Sequence, residues 1–343
     1  MPPLLSVAGL RVGFDTDAGR AQVLDGVNLE IGRGEVVGLV GESGCGKTTL
    51  ARSILGILPR PPAVIESGRI DFDGTDLLTL PARAMNDAIR GRRITYIPQD
   101  PLGSLNPVFR VGTQIMELMK WKSPDGKARR GRWPGLFTPY PHKRRRADRA
   151  RVLEALRAVQ IPDPEAALRK YPHQFSGGQR QRLVIAMALL TEPRLIIADE
   201  PTTALDVTIQ AQILALLRRL VKERGISVLF TTHDLGTAYE LCDRIVVMYA
   251  GQEVESAPID RFFAHPAHPY TRRLLESLPR PDGSVREIPG EIPGLVHPPG
   301  GCRFHPRCPN AGSECGEHRP PVDMPEAGHA LRCYHPDPME PPR

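Results

Sequence analysis

The chain has 343 residues, of which 41% are hydrophobic, and its 45 Lys and Arg against 39 Asp and Glu give a formal net charge of +6 at pH 7. This length is enough for a buried core and more than one domain. The longest apolar run, LVIAMALL at residues 183–190, has eight residues, far fewer than the roughly 20 that span a bilayer, and no secretory pattern opens the sequence. We therefore expect a cytoplasmic protein with reduced thiols.

Short β-rich stretches alternate with turns over residues 4–40, in the runs LSVAGLRVGF, AQVLDGVNLEI and EVVGLV, and this is the pattern of strands. The pattern becomes helical between Thr48 and Leu58. Between the last strand and that helix lies GESGCGKT, residues 41–48. This stretch matches the P-loop pattern in the strand–loop–helix context that phosphate binding requires.

The P-loop predicts a nucleotide site. Glycine N–H groups and the helix N-terminus would bind phosphate oxygens, the Lys47 ammonium would reach the β- and γ-phosphates, and the Thr48 hydroxyl would coordinate Mg²⁺. The candidate ATP-binding residues of this loop are Gly41, Ser43, Gly44, Cys45, Gly46, Lys47, Thr48 and Thr49. Cys45 is either a small filler or, beside Lys47 and a helix N-terminus, a thiol with a lowered pKa whose alkylation would block ATP binding.

Further along the chain strands alternate with helices, which favours a mostly parallel α/β sheet. The strand patterns are GRIDFDGTDLLTL with its turn (68–80), RRITYIPQD (92–100), LIIAD (195–199), ISVLFTTHD (226–234) and DRIVVMYAG (243–251). Helical patterns cover residues 146–161, 179–190 after FSGGQ, and 205–224. From about Pro258 the sequence is rich in Pro and His, and HPAHPYTRRLLESL is the only clear helix of a small, loop-rich C-terminal unit.

Residues 120–151 form a basic segment with twelve Lys and Arg and two Asp and Glu, which leaves 33 basic and 37 acidic residues elsewhere. The segment also holds four aromatic residues, Trp121, Trp133, Phe137 and Tyr140. Aromatic side chains interleaved with Arg suit anionic lipid headgroups or nucleic acid. Runs of charge are usually solvated loops, so the composition leaves all three interpretations open.

LIIADE places two carboxylates at the end of a short apolar strand. Asp199 is positioned to hold the Mg²⁺ shell, and Glu200 could polarise a water for attack on the γ-phosphate. A helix cap or a surface pair is the structural alternative. The P-loop favours the chemical interpretation, because the metal needs such a ligand.

FSGGQRQR, residues 175–182, resembles the signature motif of ATP-binding cassette (ABC) ATPases, and it precedes LIIADEPTTALD as in that family. The resemblance covers residues 4 to about 255 and includes Gln99 in a Q-loop, the D-loop at 204–206 and His233. It implies a P-loop NTPase ABC cassette of the α/β class. Such a cassette has a RecA-like, mostly parallel sheet core, an N-terminal antiparallel β subdomain and an α-helical signature subdomain.

The resemblance implies that the signature residues contact the γ-phosphate of ATP bound to a partner subunit. The candidate residues are Ser176, Gly177, Gly178 and Gln179, with Asp206 of the D-loop beside them. Phe14 matches the position that stacks on adenine, and a core strand residue is the alternative interpretation.

The family also implies roles for the hydrolytic residues. Glu200 would be the general base, and His233 would orient the γ-phosphate and the attacking water. Gln99 would sense the nucleotide and couple to the membrane partner. Together with Thr48 and Asp199, it would surround Mg²⁺.

Three further stretches narrow the family: QDPLGSLNP after the strand at 92–100, HPYT at 268–271 and PPGGCRFHPRCP at 298–309. They resemble the ATPase subunits of bacterial dipeptide/oligopeptide importers. That resemblance implies an ABC cassette at 1–257, with a helical subdomain at about 100–190 containing the basic segment, and a C-terminal extension at 258–343. The implied partners are a second homologous ABC ATPase in a heterodimer, two transmembrane permeases and an extracytoplasmic solute-binding protein. The chain would lie peripherally on the cytoplasmic face of the bacterial inner membrane.

These features predict an ATP-hydrolysing motor subunit of a membrane importer for di- or oligopeptides or a related small solute. The alternative is a soluble ABC ATPase that acts on nucleic acid through the basic segment. Such relatives typically carry two cassettes or a long coiled coil, and neither pattern occurs in this sequence. No nucleic-acid partner is therefore expected, and a metal-sensing regulator would leave the hydrolytic motifs unexplained.

Four of the six cysteines cluster near the end with the spacing C-x5-C-x6-C-x17-C, at Cys302, Cys308, Cys315 and Cys333. Reduced thiols at this density indicate a metal, but zinc sites usually pair ligands more closely and so do ferredoxin runs. The spacing leaves an iron–sulfur cluster and Zn²⁺ open, with mixed ligation by His305, His318, His329 or His335. Some members of the importer subfamily carry a [4Fe-4S] cluster on this extension, and the resemblance therefore implies that cluster, with Zn²⁺ as the alternative.

Overall fold

The structure is a computed structural model that describes residues 2–101, 103–124, 140–202, 206–278 and 286–338. Its strands are β1 (Leu5–Thr16), β2 (Gly19–Ile31), β3 (Val36–Val40), β4 (Ala63–Phe72), β5 (Thr75–Asp76), β6 (Ile94–Ile97), β7 (Leu195–Asp199), β8 (Ser227–Thr232), β9 (Arg244–Tyr249), β10 (Gln252–Pro258), β11 (Asp323–Glu326) and β12 (His329–Leu331). Its α-helices are α1 (Lys47–Leu55), α2 (Ala82–Ala84), α3 (Val111–Lys122), α4 (His142–Ala158), α5 (Pro164–Ala167), α6 (Gly177–Leu189), α7 (Val207–Arg224), α8 (Leu235–Leu241), α9 (Ile259–Ala264), α10 (Pro269–Glu276) and α11 (Glu314–Glu317).

The chain forms two compact units, one of residues 1–79 with 229–343 and one of residues 80–228. The second unit contains the helices α2–α7. The boundary that the sequence predicts between cassette and extension, after residue 257, stays a prediction.

The first unit contains an antiparallel sheet of strand order β2-β1-β4-β5. Its second set of strands has the order β11-β12-β10-β9-β3-β8, in which β3 runs parallel to β9 and β10 runs antiparallel to β9. All five residues of β3 are buried, as the uninterrupted apolar sequence of a central strand requires. The predicted mixed α/β fold, with an antiparallel β subdomain and a parallel core sheet, is confirmed.

In the second unit, β6 runs parallel to β7 with Tyr96 opposite Ile197. Every residue of β7 is buried, as predicted for LIIAD. The long helix α7 begins at the N-cap Asp206 and ends at Gly225, whose φ of 61° forms a left-handed cap that glycine adopts without strain. Among the described helices of the whole chain, none is both long and apolar enough to cross a bilayer.

Three predicted element bounds are wrong. Helix α1 ends at Leu55 rather than Leu58 because Gly56, with φ 62°, terminates it. Strand β4 begins at Ala63, five residues before the predicted start, since it pairs along β1. Helix α4 begins at His142 and so includes the end of the basic segment.

The C-terminal extension contains more regular structure than its composition predicts. Helix α9 precedes the expected α10, and α11 follows among the cysteines. The strands β11 and β12 form an antiparallel pair, and β12 pairs with β10, with Leu331 opposite Glu255. The prediction that the extension contains only one helix is therefore wrong. Strand pairing gives regular structure to short runs that have no periodic pattern of their own.

Glu255 fixes the extension to strand β10. Its side chain is fully buried and accepts hydrogen bonds from the backbone N–H groups of Ala267 and His268, both at 2.9 Å, and from His329 Nε2 at 2.8 Å. Burial alone would raise the pKa of Glu255, but these hydrogen bonds hold it below its ordinary value. A buried carboxylate with this many donors stabilises the junction only while it is ionised.

Replacing Glu255 by Gln should lower the free energy of unfolding by about 2 to 3 kcal/mol at pH 7, because two buried N–H donors and a histidine lose a charged acceptor. The native pKa of Glu255 is depressed, so this stabilisation is complete above the ordinary Glu pKa of about 4 and is lost as pH falls through the native pKa. Urea unfolding measured at pH 7 and then at decreasing pH should therefore show the gap between wild type and variant narrowing in acid. Glu165→Gln, at a carboxylate with 46% of its side chain exposed, is the control, and equal losses for both variants would contradict the role of Glu255.

Candidate functional site

The P-loop connects the buried strand β3 to helix α1. Gly41 has φ 150°, and a Cβ placed on it would lie 2.2 Å from the carbonyl oxygen of Met248. Gly46, with φ 107°, caps the N-terminus of α1, and a Cβ there would lie 2.8 Å from a methyl group of Leu24. Both close approaches require glycine, so the sequence pattern is explained by the packing of the loop.

Lys47 is only 5% exposed. Its Nζ donates hydrogen bonds to the carbonyl oxygens of Gly41 at 2.7 Å and Glu42 at 3.2 Å. These carbonyl groups supply the partners that a buried ammonium group needs. The ammonium group is thus held within the loop, at the N-terminus of α1, where anions are also attracted.

The other loop residues differ in exposure. Cys45 and Gly46 are buried, Thr48 and Thr49 are half-buried, and Ser43 and Gly44 are exposed. The carbonyl oxygen of Cys45 accepts a 2.9 Å hydrogen bond from the N–H of Gly251, in the turn between β9 and β10.

Cys45 is a filler rather than a reactive thiol. Burial raises its pKa more than the neighbouring Lys47 ammonium lowers it, and only 2% of the residue is exposed. The expectation of a lowered pKa is therefore wrong, because sequence proximity to Lys47 does not reveal that the thiol is shielded from water.

Phe14 and His233 lie in the same unit as the P-loop. Phe14 is half-buried on β1, opposite Ala21 and Ala63. His233 is exposed between the end of β8 and Asp234, and Asp234 Oδ1 caps helix α8 through Gly236 N–H at 2.8 Å. His233 thus stands at the carboxyl end of a buried strand.

The unit of residues 80–228 brings the acidic pair together with Gln99. Asp199 is 3% exposed and accepts a 2.9 Å hydrogen bond from the hydroxyl of Tyr96 on the neighbouring strand. Glu200 follows with a left-handed φ of 46°, and its Oε2 accepts from Gln99 Nε2 at 3.3 Å. Parallel strands β6 and β7 end at the same edge, which explains this convergence. The hydrogen bond between Tyr96 and Asp199 was not predicted from the sequence, because the tyrosine in ITYI belongs to no recognisable motif.

The signature residues form the start of helix α6. Ser176 Oγ accepts from Gln179 N–H at 3.3 Å, and Gln179 Oε1 accepts from Ser176 N–H at 3.1 Å, a reciprocal capping box. A Cβ on Gly178 would lie 2.6 Å from a methyl group of Ile209 on α7. Asp206 caps α7 by accepting from Ile209 N–H at 2.9 Å. The other D-loop residues, 204 and 205, lie outside the described part of the chain.

The predicted site residues are divided between the two units. The P-loop, Phe14 and His233 belong to residues 1–79 with 229–343, while Gln99, the acidic pair, the signature and Asp206 belong to residues 80–228. Within each unit the residues occupy strand ends and helix N-termini, where N–H donors and carboxylates are available for phosphate and metal.

The four clustered cysteines surround one cavity. Cys302, Cys308, Cys315 and Cys333 line a space of about 10 Å³, and all four are free thiols. Burial raises the pKa of Cys302 to about 11, and burial with the charge of the other thiols raises that of Cys333 to about 12. Cys302 and Cys333 are therefore protonated at neutral pH unless a cation is present.

Histidines also line this cavity, namely His268, His305 and His335. His268 is buried, and burial lowers its pKa to about 4. Its Nδ1 accepts from Tyr270 N–H at 3.0 Å, and its buried Nε2 has no hydrogen-bond partner. His329, a predicted candidate ligand, instead bonds Glu255. No group of three or more His, Cys, Asp or Glu placed to hold a metal ion occurs among residues 2–101, 103–124, 140–202, 206–278 and 286–338.

The structure describes both ends of the basic segment. Residues 125–139, which include Trp133 and Phe137, lie outside the described part of the chain. The Tyr140 hydroxyl donates to Asp148 at 2.7 Å, and Asp148 also pairs with Arg144 at 3.3 Å. The Trp121 indole donates to Glu117 on α3. Two of the four aromatic residues therefore have polar partners within their own unit.

Two family models match the sequence. The model described as ABC transporter matches residues 24–203. The model described as oligopeptide/dipeptide transporter, C-terminal region, matches residues 254–315. Together they cover the P-loop, the signature, the acidic pair and three of the clustered cysteines.

Relatives match over nearly the full chain. The chain is 44% identical to the dipeptide transport ATP-binding protein DppD of Bacillus subtilis, over 97% of this chain and 95% of that protein. It is 42% identical to the oligopeptide transport ATP-binding protein OppD of the same organism, over 99% of this chain and 92% of that protein.

Solved structures share the fold. A dimeric, post-hydrolysis state of the ATP-binding cassette MJ0796, bound to ADP and Pi, is 27% identical with a TM-score of 0.60, covering 74% of this chain and 98% of that one. The cbiO1 protein of Clostridium perfringens, part of an ABC transporter complex, is 28% identical with a TM-score of 0.60, covering 77% and 91%.

Proposed function

Because this chain belongs to the ABC transporter family of ATP-binding subunits, we propose that it is the ATP-hydrolysing motor of a membrane importer for di- or oligopeptides. The observation that carries the proposal is the joint match of residues 24–203 to the ABC transporter model and 254–315 to the peptide-transporter C-terminal region. The relatives DppD and OppD, which align with this chain over nearly their whole length, are named for dipeptide and oligopeptide transport.

Nucleotide binding rests on the P-loop. Lys47, already held within the loop by Gly41 and Glu42 carbonyls, would neutralise the β- and γ-phosphates. Thr48, Gln99 and Asp199 offer oxygen atoms of the kind that Mg²⁺ prefers, and the bound ion would offset charge that develops on the phosphates.

Hydrolysis would proceed by attack of a water oxygen on the γ-phosphorus, with ADP as the leaving group. Glu200 would accept the water proton, and its hydrogen bond from Gln99 (3.3 Å) would hold the carboxylate oriented. His233, at the end of β8, would donate to the γ-phosphate. The products, ADP and inorganic phosphate, would then leave the site with the negative charge of the phosphate groups.

The exposed N-terminus of α6 supplies a second phosphate site. Ser176 and Gly177 are exposed, so their donors are accessible to the γ-phosphate of ATP bound to another cassette. From the resemblance to importer ATPase subunits, we propose that the other cassette belongs to a second homologous ABC ATPase and that the two chains form a heterodimer. Two permeases and a solute-binding protein would complete the importer, with this chain on the cytoplasmic face of the membrane and residues 258–343 as the extension of a cassette at 1–257.

The nucleic-acid alternative is not supported. The matched relatives are named as transport ATP-binding proteins.

The residues that line the cysteine cavity are of the types that bind iron–sulfur clusters and zinc. Four free thiols line one space, and the buried Nε2 of His268 lacks a partner beside them. We propose that Cys302, Cys308, Cys315 and Cys333 hold a [4Fe-4S] cluster, with Zn²⁺ as the alternative. A cluster would supply four bonds that tie the extension together, and it can also gain or lose an electron.

Replacing Glu200 by Gln should lower kcat for ATP hydrolysis by about 100-fold or more while leaving the Kd for ATP nearly unchanged, because the amide cannot accept the water proton. Phosphate release by the purified complex and equilibrium ATP binding measure the two effects. Glu223→Gln, at an exposed carboxylate on α7, should keep full activity. Retention of wild-type turnover by Glu200→Gln would rule out Glu200 as the base.

Anaerobically purified complex should contain about four iron and four sulfide per copy of this chain, with brown visible absorbance. Cys308→Ser should lose most of this iron, whereas Cys45→Ser, at a buried thiol in the P-loop, should keep it. Colourless protein loaded with zinc would show that the alternative metal is correct. Equal iron in both variants would place the metal elsewhere.

A further inference from the structure

Glu42, the second residue of the P-loop, is held at three points. Its carboxylate accepts from Arg307 Nη1 at 2.9 Å and Nη2 at 3.3 Å. Its backbone N–H donates to the hydroxyl of Tyr270 at 3.0 Å. Its carbonyl oxygen accepts from the Lys47 ammonium at 3.2 Å. Two of these partners, Arg307 and Tyr270, lie beyond residue 257, on the C-terminal extension.

The Arg307 guanidinium is enclosed by its partners. Its side chain is 4% exposed, and its guanidinium lies 5.7 Å from the ring centroid of Tyr249 and 6.0 Å from that of Phe304. Further acceptors use its remaining donors: the carbonyl oxygens of Ile288 and Pro289 and the hydroxyl of Tyr249. Because each nitrogen of this planar guanidinium has a hydrogen-bond acceptor, Arg307 positions the Glu42 carboxylate more precisely than a lysine would.

Tyr270 is fixed just as firmly. It is fully buried, and its ring centroid lies 4.6 Å from Tyr249 and 5.2 Å from Phe304. These three rings join β9, α10 and the segment that precedes Cys308. Packing of this kind restricts the hydroxyl to the position from which it accepts the Glu42 N–H.

We infer that Arg307 and Tyr270 are positioning residues of the nucleotide site, through which the C-terminal extension sets the shape and charge of the P-loop. Arg307 neutralises the one carboxylate in GESGCGKT, which otherwise stands in a loop that receives a polyanion and would repel it. Tyr270 fixes the peptide whose carbonyl orients Lys47. The extension thereby contributes to ATP affinity without touching ATP.

The inference rests on the proposed ATPase function, since it concerns how the P-loop binds nucleotide. Arg307 and Tyr270 also connect the P-loop with the cysteine cavity, which are far apart in the sequence. Arg307 directly precedes Cys308, and Tyr270 lies two residues after His268, so both positioning residues neighbour groups that line the cysteine cavity.

The test measures ATP affinity and thermal unfolding of the full-length chain for a set of matched variants. Arg307→Met leaves the Glu42 carboxylate unpaired, so ATP should bind about tenfold more weakly. The double variant Glu42→Gln/Arg307→Met removes both charges and should recover most of that loss, a coupling that independent residues would not show. Tyr270→Phe keeps all charges and should weaken binding by about threefold.

Arg319→Met is the matched control. Arg319 also lies on the extension and is partly buried, but its hydrogen bonds go to the carbonyl oxygens of Asp25 and Gly26 and to Glu253. This variant should bind ATP within about twofold of wild type. In the assembled complex, Arg307→Met should raise the KM for ATP and leave kcat nearly unchanged, because the hydrolytic groups are intact.

Two outcomes would overturn the inference: ATP affinity of Arg307→Met within twofold of wild type, or an equal loss in Arg319→Met. If Arg307→Met does not fold, Arg307→Lys and Tyr270→Phe decide the question, since each keeps the charge balance and should still weaken ATP binding. A wild-type chain that fails to bind ATP would instead refute the proposed function itself.

Discussion

A lysine buried within its own phosphate loop is the constraint on which the rest of the site depends. Lys47 is only 5% exposed, and its ammonium group requires the carbonyl oxygens of Gly41 and Glu42 as partners. In the same loop, Gly41 and Gly46 adopt positive φ angles at close approaches that leave no room for a side chain. The strand β3 and the helix α1 hold the two ends of the P-loop, and the C-terminal extension holds the loop at Glu42.

Local patterns predicted the parts of the site that a single stretch of chain can form. The P-loop follows from a buried strand, spaced glycines and a helix start, and the capping box of Ser176 and Gln179 follows from adjacent residues. The end of α1 at Gly56 was also available in the sequence, as a glycine in GILP after a helical run, and was missed. Local sequence determines these features because their hydrogen bonds join residues close in the chain.

Contacts between distant residues could not be predicted in this way. Arg307 meets Glu42 across 265 positions, and Tyr96 meets Asp199 across 103. Neither pair has a spacing that indicates contact, since topology alone brings the residues together. The addition of β12 to β10 has the same cause, and it turns a segment rich in Pro and His into part of a sheet. The cysteines are intermediate: their density predicted a common site, and the structure places all four around one cavity.

Hydrolysis by the assembled importer in liposomes decides whether this chain is a peptide-transport motor. ATP supplied on the side of this chain should be hydrolysed faster when peptide-loaded solute-binding protein is present on the opposite side, and labelled peptide should accumulate only with ATP, because cassette closure and permease switching are coupled. Hydrolysis that is indifferent to peptide, with no accumulation of any di- or oligopeptide, would contradict the assignment.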